Sequence, residues 1–333
     1  MKFELETVKC PNCDSDDFTV VLENAEELYN QTREKFNVVA CKDCGLRYTN
    51  PRPTLQTIGL FYPDHTGYFS PSQTDIETAT SFSPAFISFL RTKRGYNHLQ
   101  RQSFKTRLIA SVLSPFFSRS ANLKHIPDFV PGGKMLDIGS AWGRYLLQAR
   151  ALGWACYGFD MNSKSIEIAK NELGFEHVSV STIETYTSEQ KFDAINMSMV
   201  VEHFHDPVDA LSRAGNLLKP NGALMISVPN FNGLEFKIFG KNAYSLHVPQ
   251  HICHFDPKIL SSILQRQGFK VEKIVCHHTD RDYIASLKYT GRFKPLLKIL
   301  TNSIIRRLFV KPIVYILGTL SLTSRMTIYA RKK

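Results

Sequence analysis

The sequence predicts an α/β chain with a doubly wound, mostly parallel sheet, and three observations carry that prediction. Lys134–Leu146 (KMLDIGSAWGRYL) reads as a short apolar strand ending in Asp137-Ile138-Gly139, a small-residue turn, and a helix launched after Gly143. A second strand, Ala155 to Phe159, ends on Asp160, 21 residues after Gly139. Beyond it, strand-like runs alternate with amphipathic segments of about 10–15 residues, as in successive βαβ units. A strand that stops at glycine lets a ligand approach the backbone, because no Cβ stands in the way. An acidic residue about 20 positions later suits the two hydroxyls of a ribose. The expectation is a nucleoside-bearing cofactor at the carboxyl edge of the sheet.

The elements follow in order. Ser163 to Leu173 (SKSIEIAKNEL) places Ile166, Ala169 and Leu173 on one helical stripe, with Ser163 as the expected cap and Gly174 as the stop. His177–Ser181 alternates as a short strand, and Phe192-Asp193 opens another that runs from Ala194 to Val201. After Glu202-His203-Phe204-His205-Asp206-Pro207 come a helix (VDALSRAGNLL), the turn Lys219-Pro220-Asn221-Gly222 and the strand ALMISVPN. LQRQGFKVEKIVCHH reads as a helix end and a strand, and Arg325 to Lys332 alternates as an edge strand.

The turn Gly139-Ser140-Ala141-Trp142-Gly143 is not a dinucleotide fingerprint. That would need G-x-G-x-x-G, with its central glycine making room for a pyrophosphate. Here the central position is filled and no phosphate cradle is visible.

Charge and hydropathy bound the setting. The net charge is +11, and residues 281–333 hold twelve Lys/Arg against Asp282 alone, which is the whole excess; the other 29 basic and 29 acidic side chains cancel. Thr78 to Pro127 adds eight Lys/Arg and no acid, with amphipathic runs such as FISFLRTKRGYNHL. FKPLLKILTNSIIRRLF sets Phe293, Leu297, Leu300, Ile304 and Leu308 on one helical stripe, with Lys294, Lys298 and Arg306 on another face. A basic amphipathic helix of this kind can lie on an anionic lipid surface or cover the sheet. Residues 1–9 are charged with no apolar core, and the longest uncharged apolar run, Pro312 to Ser324, is 13 residues, short of the roughly 20 a spanning helix needs. The expected location is cytoplasmic, with peripheral contact at the inner membrane surface.

Cys10-Pro-Asn-Cys13 and Cys41-Lys-Asp-Cys44 are two C-x-x-C knuckles with 27 residues between them. Two such pairs can close a tetrahedral thiolate site, and without an export signal zinc is favoured over disulfides. Four thiolates leave no open position, so the expected zinc is structural. Cys156, Cys253 and Cys276 read as packing residues. Arg47-Tyr-Thr-Asn-Pro-Arg-Pro53 is a turn-rich exit, followed by Phe61, Tyr62, Tyr68 and Phe69. Tyr62 and Tyr68 are candidates for an acceptor pocket or for packing.

The glycine turn, together with VVEHFHDP, LLKPNG, ISVPN and HVPQHICHFDP, resembles class I S-adenosylmethionine-dependent methyltransferases of the ubiquinone and glycan-biosynthesis type. The resemblance covers roughly residues 131–273; more weakly, through the knuckles, the Pro-Arg-Pro step and the paired tyrosines, it extends to residues 1–69. The family turn D-x-G-x-G-x-G is met at Asp137, Gly139 and Gly143, with Ala141 in place of the middle glycine. The resemblance implies a seven-stranded Rossmann-like sheet whose last two strands are antiparallel. It also implies S-adenosylmethionine as cofactor, with Gly139, Ser140 and Gly143 beside its methionine part and Asp137 orienting the turn or meeting the amino group. Asp160 is expected on the ribose diol, Met161 on the adenine, and Thr182 and Ile183 at the adenine edge.

Methyl transfer from a sulfonium is an in-line displacement, so positioning supplies most of the catalysis. A hydroxyl acceptor also needs a base, and a neutral histidine suits that task. His203 is the first candidate by its place in VVEHFHDP, and a capping or packing role is its alternative. His251 is the second. His247-x-x-x-His251 has metal-ligand spacing, but Pro249 argues against the helix it would need.

The expected organisation is a zinc-ribbon-like module at 1–69, a helical linker or lid at 70–130, and a methyltransferase domain at 131–333 with a basic helical insertion at about 285–322. The expected acceptor is a small molecule, sugar, glycan intermediate or lipid-linked head group, methylated on oxygen. An RNA methyltransferase gripping RNA through the knuckles is disfavoured, because residues 1–77 have no basic excess. A cofactor-binding protein without catalysis is the remaining alternative; Asp137, Gly139 and Asp160 are all present, so cofactor binding is expected in either case.

Overall fold

The structure is a computed structural model that describes residues 3–29, 32–62, 71–112, 126–291 and 294–333. Tyr68, Phe69 and Phe293, singled out above, lie outside the described residues. In the amino-terminal region, β1 (Leu5–Glu6) pairs with β5 (Arg52–Pro53), and β2 (Phe18–Glu26), β3 (Lys35–Cys41) and β4 (Arg47–Thr49) form a meander. The main sheet is built from β6 (Lys134–Ile138), β7 (Ala155–Asp160), β8 (Val178–Val180), β9 (Phe192–Ser198) and β10 (Leu218–Pro229). The short β11 (Cys253–His254) leaves it, and β12 (Phe269–Cys276) and β13 (Arg325–Lys332) complete it.

Its seven strands run in the order β12-β13-β10-β9-β6-β7-β8. β10, β9, β6, β7 and β8 are mutually parallel, and β13 is antiparallel to both its neighbours. This is the doubly wound, mostly parallel sheet of the sequence reading, with one correction: Arg325–Lys332 is not an edge strand. It is inserted between β10 and β12, hydrogen-bonded on both sides, and Met326, Thr327 and Ile328 are buried. The alternation that suggested an edge comes from Arg325, Tyr329 and the closing Arg331-Lys332, all only partly covered.

Helices cover both faces. Arg144–Ala151 and Ser163–Asn171 pack Leu146, Leu147, Ile166 and Ala169 beside Phe175 and Val178. Pro207–Leu217 and Pro257–Arg266 bury Leu211, Leu260 and Ile263 in the main core with Leu136, Ile195, Ile226 and Ile328. The Ser163 helix is capped by Asn162, whose side chain accepts from Ser165 N at 2.9 Å, so the cap stands one residue before the expected serine. The amphipathic run from Phe86 is a helix (Pro84–Lys93) that ends before Gly95; Phe86, Phe89 and Leu90 are buried with Tyr96 and Trp154.

The basic segment 293–309 is not one helix. Asn302 accepts from Ile304 N and Ile305 N and restarts the chain, giving the helix Lys294–Thr301 and then a helical run through Ser303–Ile305, a π-helical turn at Arg306–Val310 and Lys311–Thr319. Leu297 and Leu300 are half-buried, while Ile304 and Leu308 are exposed together with Leu296, Ile299, Phe309 and Ile313. Among the described residues, no helix is long and apolar enough to cross a membrane.

Candidate active site and metal centre

The turn after β6 is shaped by left-handed backbone. Gly139 and Gly143 have φ of 72° and 92°, and a Cβ on Gly139 would stand 2.9 Å from Val200 Cγ2. Ala141 also takes a left-handed φ, 44°, so alanine at the family's middle glycine costs backbone strain rather than room. What holds it is Asp160: one carboxylate oxygen accepts from Ala141 N at 2.8 Å and the other from Asn162 N at 2.8 Å. Gly139 N and Ser140 N both donate to Phe159 O, so they offer no phosphate cradle.

These residues fit a nucleoside with a charged amino-acid tail. Each Asp160 oxygen keeps a second acceptor site for a ribose hydroxyl. Burial raises the pKa of this carboxyl, and the two amide donors work against that rise. The Oγ of Ser140 is buried without a hydrogen-bond partner among the described residues, as is the Oδ1 of Asn196. Asn196 uses its Nδ2 to donate to Asp137 at 2.7 Å, and burial holds the Asp137 carboxyl well above its usual range despite that bond. An ammonium group would satisfy it. Met161 is 68% exposed directly after β7, and Thr182 is exposed after β8. Ile183 is instead buried in the main core, where Tyr186 stacks on Phe159 at 4.3 Å.

The second half of the site follows β9. Val201–His203 is a single 3-10 turn, and Ile252 N donates to Glu202 O at 2.8 Å, which ties it to the loop carrying His247, His251 and His254. The Nδ1 of His203 lies 2.9 Å from Gln250 O and 2.9 Å from the Tyr62 hydroxyl. A carbonyl can only accept, so Nδ1 carries the proton and Nε2 the lone pair. Burial lowers the His203 pKa to about 4, which keeps the ring neutral. His251 donates from Nδ1 to Ser245 O at 3.0 Å, and its ring lies 4.8 Å from that of His203 and 4.8 Å from that of His247. His205 and His254 serve structure, bonding Pro53 O and the Thr49 hydroxyl.

The sequence places Glu202-His203 together at the end of the fourth strand but gives Glu202 no role of its own. Its carboxyl is buried, neither oxygen has a hydrogen-bond partner among the described residues, and burial pushes its pKa up to about 8. An unpaired buried polar group costs about 1–3 kcal/mol. Val200 against Gly139 was equally invisible in the sequence, because strand-to-strand contacts leave no local signal.

The four knuckle cysteines converge. Cys10 Sγ is 3.5 Å from Cys44 Sγ and Cys13 Sγ is 3.5 Å from Cys41 Sγ, with all four within 4.8 Å. Sulfurs about 2.3 Å from a tetrahedral zinc lie roughly 3.8 Å apart, and disulfide sulfurs only about 2 Å. The donor set and spacing fit zinc.

Curated relatives align with part of the chain. Human mitochondrial ubiquinone biosynthesis O-methyltransferase is 30% identical over 180 residues, covering 48% of this chain and 48% of that protein. The enzyme of the same name from Glaesserella parasuis is 28% identical over 163 residues, covering 44% of this chain and 69% of its own length. The chain thus spans about half the length of the human relative. A solved S-adenosylmethionine-dependent methyltransferase from Archaeoglobus fulgidus is 20% identical, with a TM-score of 0.41 and coverage of 70% and 96%. A family model described as a methyltransferase domain matches residues 98–274, more than half of the chain. The strand order, the glycine turn with its acidic partner and this match agree: the chain belongs to the methyltransferase-domain family, in its class I S-adenosylmethionine-dependent form.

Proposed function

We propose that the protein transfers a methyl group from S-adenosylmethionine to an oxygen of a small-molecule, sugar, glycan or lipid-linked acceptor, with His203 taking the hydroxyl proton. The observation that carries this reading is the His203 ring, fixed through Nδ1 to the Gln250 carbonyl with its Nε2 lone pair unspent. It stands three residues beyond Val200, which touches Gly139 of the cofactor turn. The matched relatives are O-methyltransferases, which supports oxygen as the methylated atom. A ring with a pKa near 4 is a weak base. That favours an acidic hydroxyl, such as a phenol-like quinone head group, over a sugar alcohol.

The cofactor supplies the electrophilic methyl. Asp160 would hold the ribose diol, Asp137 the ammonium, Gly139, Ser140 and Gly143 the methionine part, Met161 the adenine face, and Thr182 and Ile183 its edge. Residue 183 could reach that edge only through its backbone or by a shift, given its burial. Tyr62 and His251 line the acceptor side beside His203. Cys10, Cys13, Cys41 and Cys44 would hold a structural zinc, making 1–69 a zinc-ribbon-like module ahead of a 70–130 linker and a 131–333 catalytic domain. The exposed apolar and basic layer at about 285–322 supports contact with an anionic membrane surface.

Assay of an acceptor panel tests the reading. His203→Ala should lower turnover by roughly 10²–10⁴ with cofactor affinity unchanged. A near-normal rate on the true acceptor would move the role to His251 or remove the base altogether.

A further inference from the structure

Glu235 is wholly buried on the short helix Leu234–Phe239, which follows β10 at the sheet edge that also carries the glycine turn and His203. Its carboxylate grips one residue twice: Oε1 accepts from Ser245 N at 3.0 Å, and Oε2 from the Ser245 hydroxyl at 2.7 Å. Oε1 also accepts from the Ser286 hydroxyl at 2.6 Å, and Ser286 Oγ in turn accepts from Tyr244 N at 2.7 Å. Ser286 belongs to the helix Arg281–Tyr289, so the 3-10 turn Tyr244–Leu246 is pinned from two elements. From that turn Ser245 O accepts from His251 Nδ1 at 3.0 Å. This bond keeps the imidazole proton on Nδ1 and the lone pair on Nε2. Ser245, Ser286 and His251 are all buried, so water does not stand in for a lost partner. A buried carboxylate is a poor source of stability, because an apolar side chain of its size serves as well or better. Nor is Glu235 needed as a counter-charge: Arg325 is already matched by Asp282, which accepts from its Nε and Nη2 at 2.7 Å each. What two carboxylate oxygens do there, and an apolar group could not, is hold the amide and the hydroxyl of Ser245 at once.

We propose that Glu235 is a positioning residue for the acceptor side: by clamping Ser245 it aims the carbonyl that sets the tautomer and ring orientation of His251. The inference rests on the reading that puts His251 beside the acceptor, and it gives that histidine the second layer of support a precise site needs. With the carboxylate removed, Ser245 N and Oγ are left buried without their acceptor. The turn relieves that cost by rotating, which carries Ser245 O away from the ring. Nothing then favours a proton on Nδ1 over one on Nε2, and part of the population presents a donor where the wild type presents a lone pair.

The test reads the His251 tautomer directly on the full chain, by multiple-bond proton–nitrogen spectra of protein labelled at the histidine nitrogens. The His251 resonances are identified by their loss in His251→Gln. The wild type should show Nδ1 protonated and Nε2 bare. Glu235→Ala should show a mixture of tautomers, and so should Glu235→Asp, whose shorter side chain withdraws both oxygens by one carbon. In both, kcat/KM for the acceptor should fall roughly 10- to 100-fold while calorimetric S-adenosylmethionine binding stays at the wild-type level. Glu235→Gln keeps an oxygen for Ser245 N and should rescue the tautomer and most of the rate. The order of these two variants separates the roles, because a counter-charge for Arg325 would survive in Asp and be lost in Gln. His251 remaining on Nδ1 in the shortened variants overturns the proposal, and so does an Asp variant that outperforms the Gln variant. If Glu235→Ala fails to fold, the Asp and Gln variants decide. Failure of the function reads differently: the expected tautomer shifts, with no O-methylation across the panel, keep the role of Glu235 and reject the acceptor chemistry. Turnover lost in His203→Ala, with the His251 tautomer unmoved in the Glu235 variants, keeps the base and rejects the positioning.

Discussion

Removing the Asp160 carboxylate tests the cofactor site at its most connected residue. In Asp160→Ala, the amides of Ala141 and Asn162 both lose a charged acceptor that now sits 2.8 Å away. Such bonds are worth about 1.5–3 kcal/mol each. Asp160 is only partly buried, so water recovers some of the loss, and a net destabilisation of about 2–4 kcal/mol is expected. For a chain of this size that lowers Tm by roughly 3–6 °C. Cofactor binding should weaken by a further 1.5–3 kcal/mol, about 10- to 150-fold in Kd, through the lost ribose contact. Calorimetry with S-adenosylmethionine and with an analogue lacking the ribose diol separates the two effects. The wild type should prefer the diol, and the variant should not. Unchanged affinity, or equal losses for both ligands, would refute the diol contact and leave Asp160 as a brace for the strained Ala141.

Other perturbations address the rest of the molecule. Cys41→Ser should release the thiolate-bound metal in elemental analysis and lower Tm, because Cys41 is also buried in the main core. Wild-type protein purified anaerobically without zinc, or carrying a Cys10–Cys13 disulfide, would end that reading. Liposome flotation should recover the protein with anionic vesicles at low salt. Reversing Lys298, Arg307 and Lys311 to Glu should abolish it, since each basic side chain contributes about 1 kcal/mol near such a surface; equal recovery with neutral vesicles would mean that the segment is only a cover. Burial beside Arg47 lowers the His254 pKa to about 3. Below about pH 6.5 the unfolded chain therefore takes up a proton that the native state refuses. Stability should fall with pH by roughly 1.4 kcal/mol per unit between pH 6 and 4 for this one group, with no such loss above pH 7. Denaturation midpoints of His254→Gln should show a slope shallower by one proton, and an equally steep profile would remove His254 from the account.

The parts of this site that were legible in the sequence are those built from local spacing. Asp137, Gly139, Gly143 and Asp160 belong to one βαβ unit, so their separation along the chain fixes their meeting in space. The two knuckles are likewise a local pattern repeated once. What stayed hidden depends on distant partners. The interior place of Arg325–Lys332 is set by two neighbouring strands that precede it by about 50 and 100 residues. The strain at Ala141 follows from the reach of Asp160, and the approach of Glu202 to His251 joins residues about 50 apart in the chain. The break at Asn302 was missed for another reason: asparagine is tolerated inside an amphipathic pattern but can also cap, and only the backbone tells which.

The pairing of β11 with β4 gives the amino-terminal module a reach beyond its own residues. Cys253 and His254 stand opposite Tyr48 and Arg47, which makes β11 the last strand of the module's four-stranded sheet. Thr49 binds the carbonyls of Ile252 and His251, and Gln250 reaches Phe61 O. The boundary drawn near residue 69 is therefore one of chain order and not of cooperativity. Deleting the module would strip a sheet edge and several buried hydrogen bonds from the histidine loop, and the Tyr62 hydroxyl from His203, in one cut. Loss of the metal proposed at the knuckles would travel the same route, so protein stripped of it should lose turnover of the acceptor before it loses S-adenosylmethionine binding.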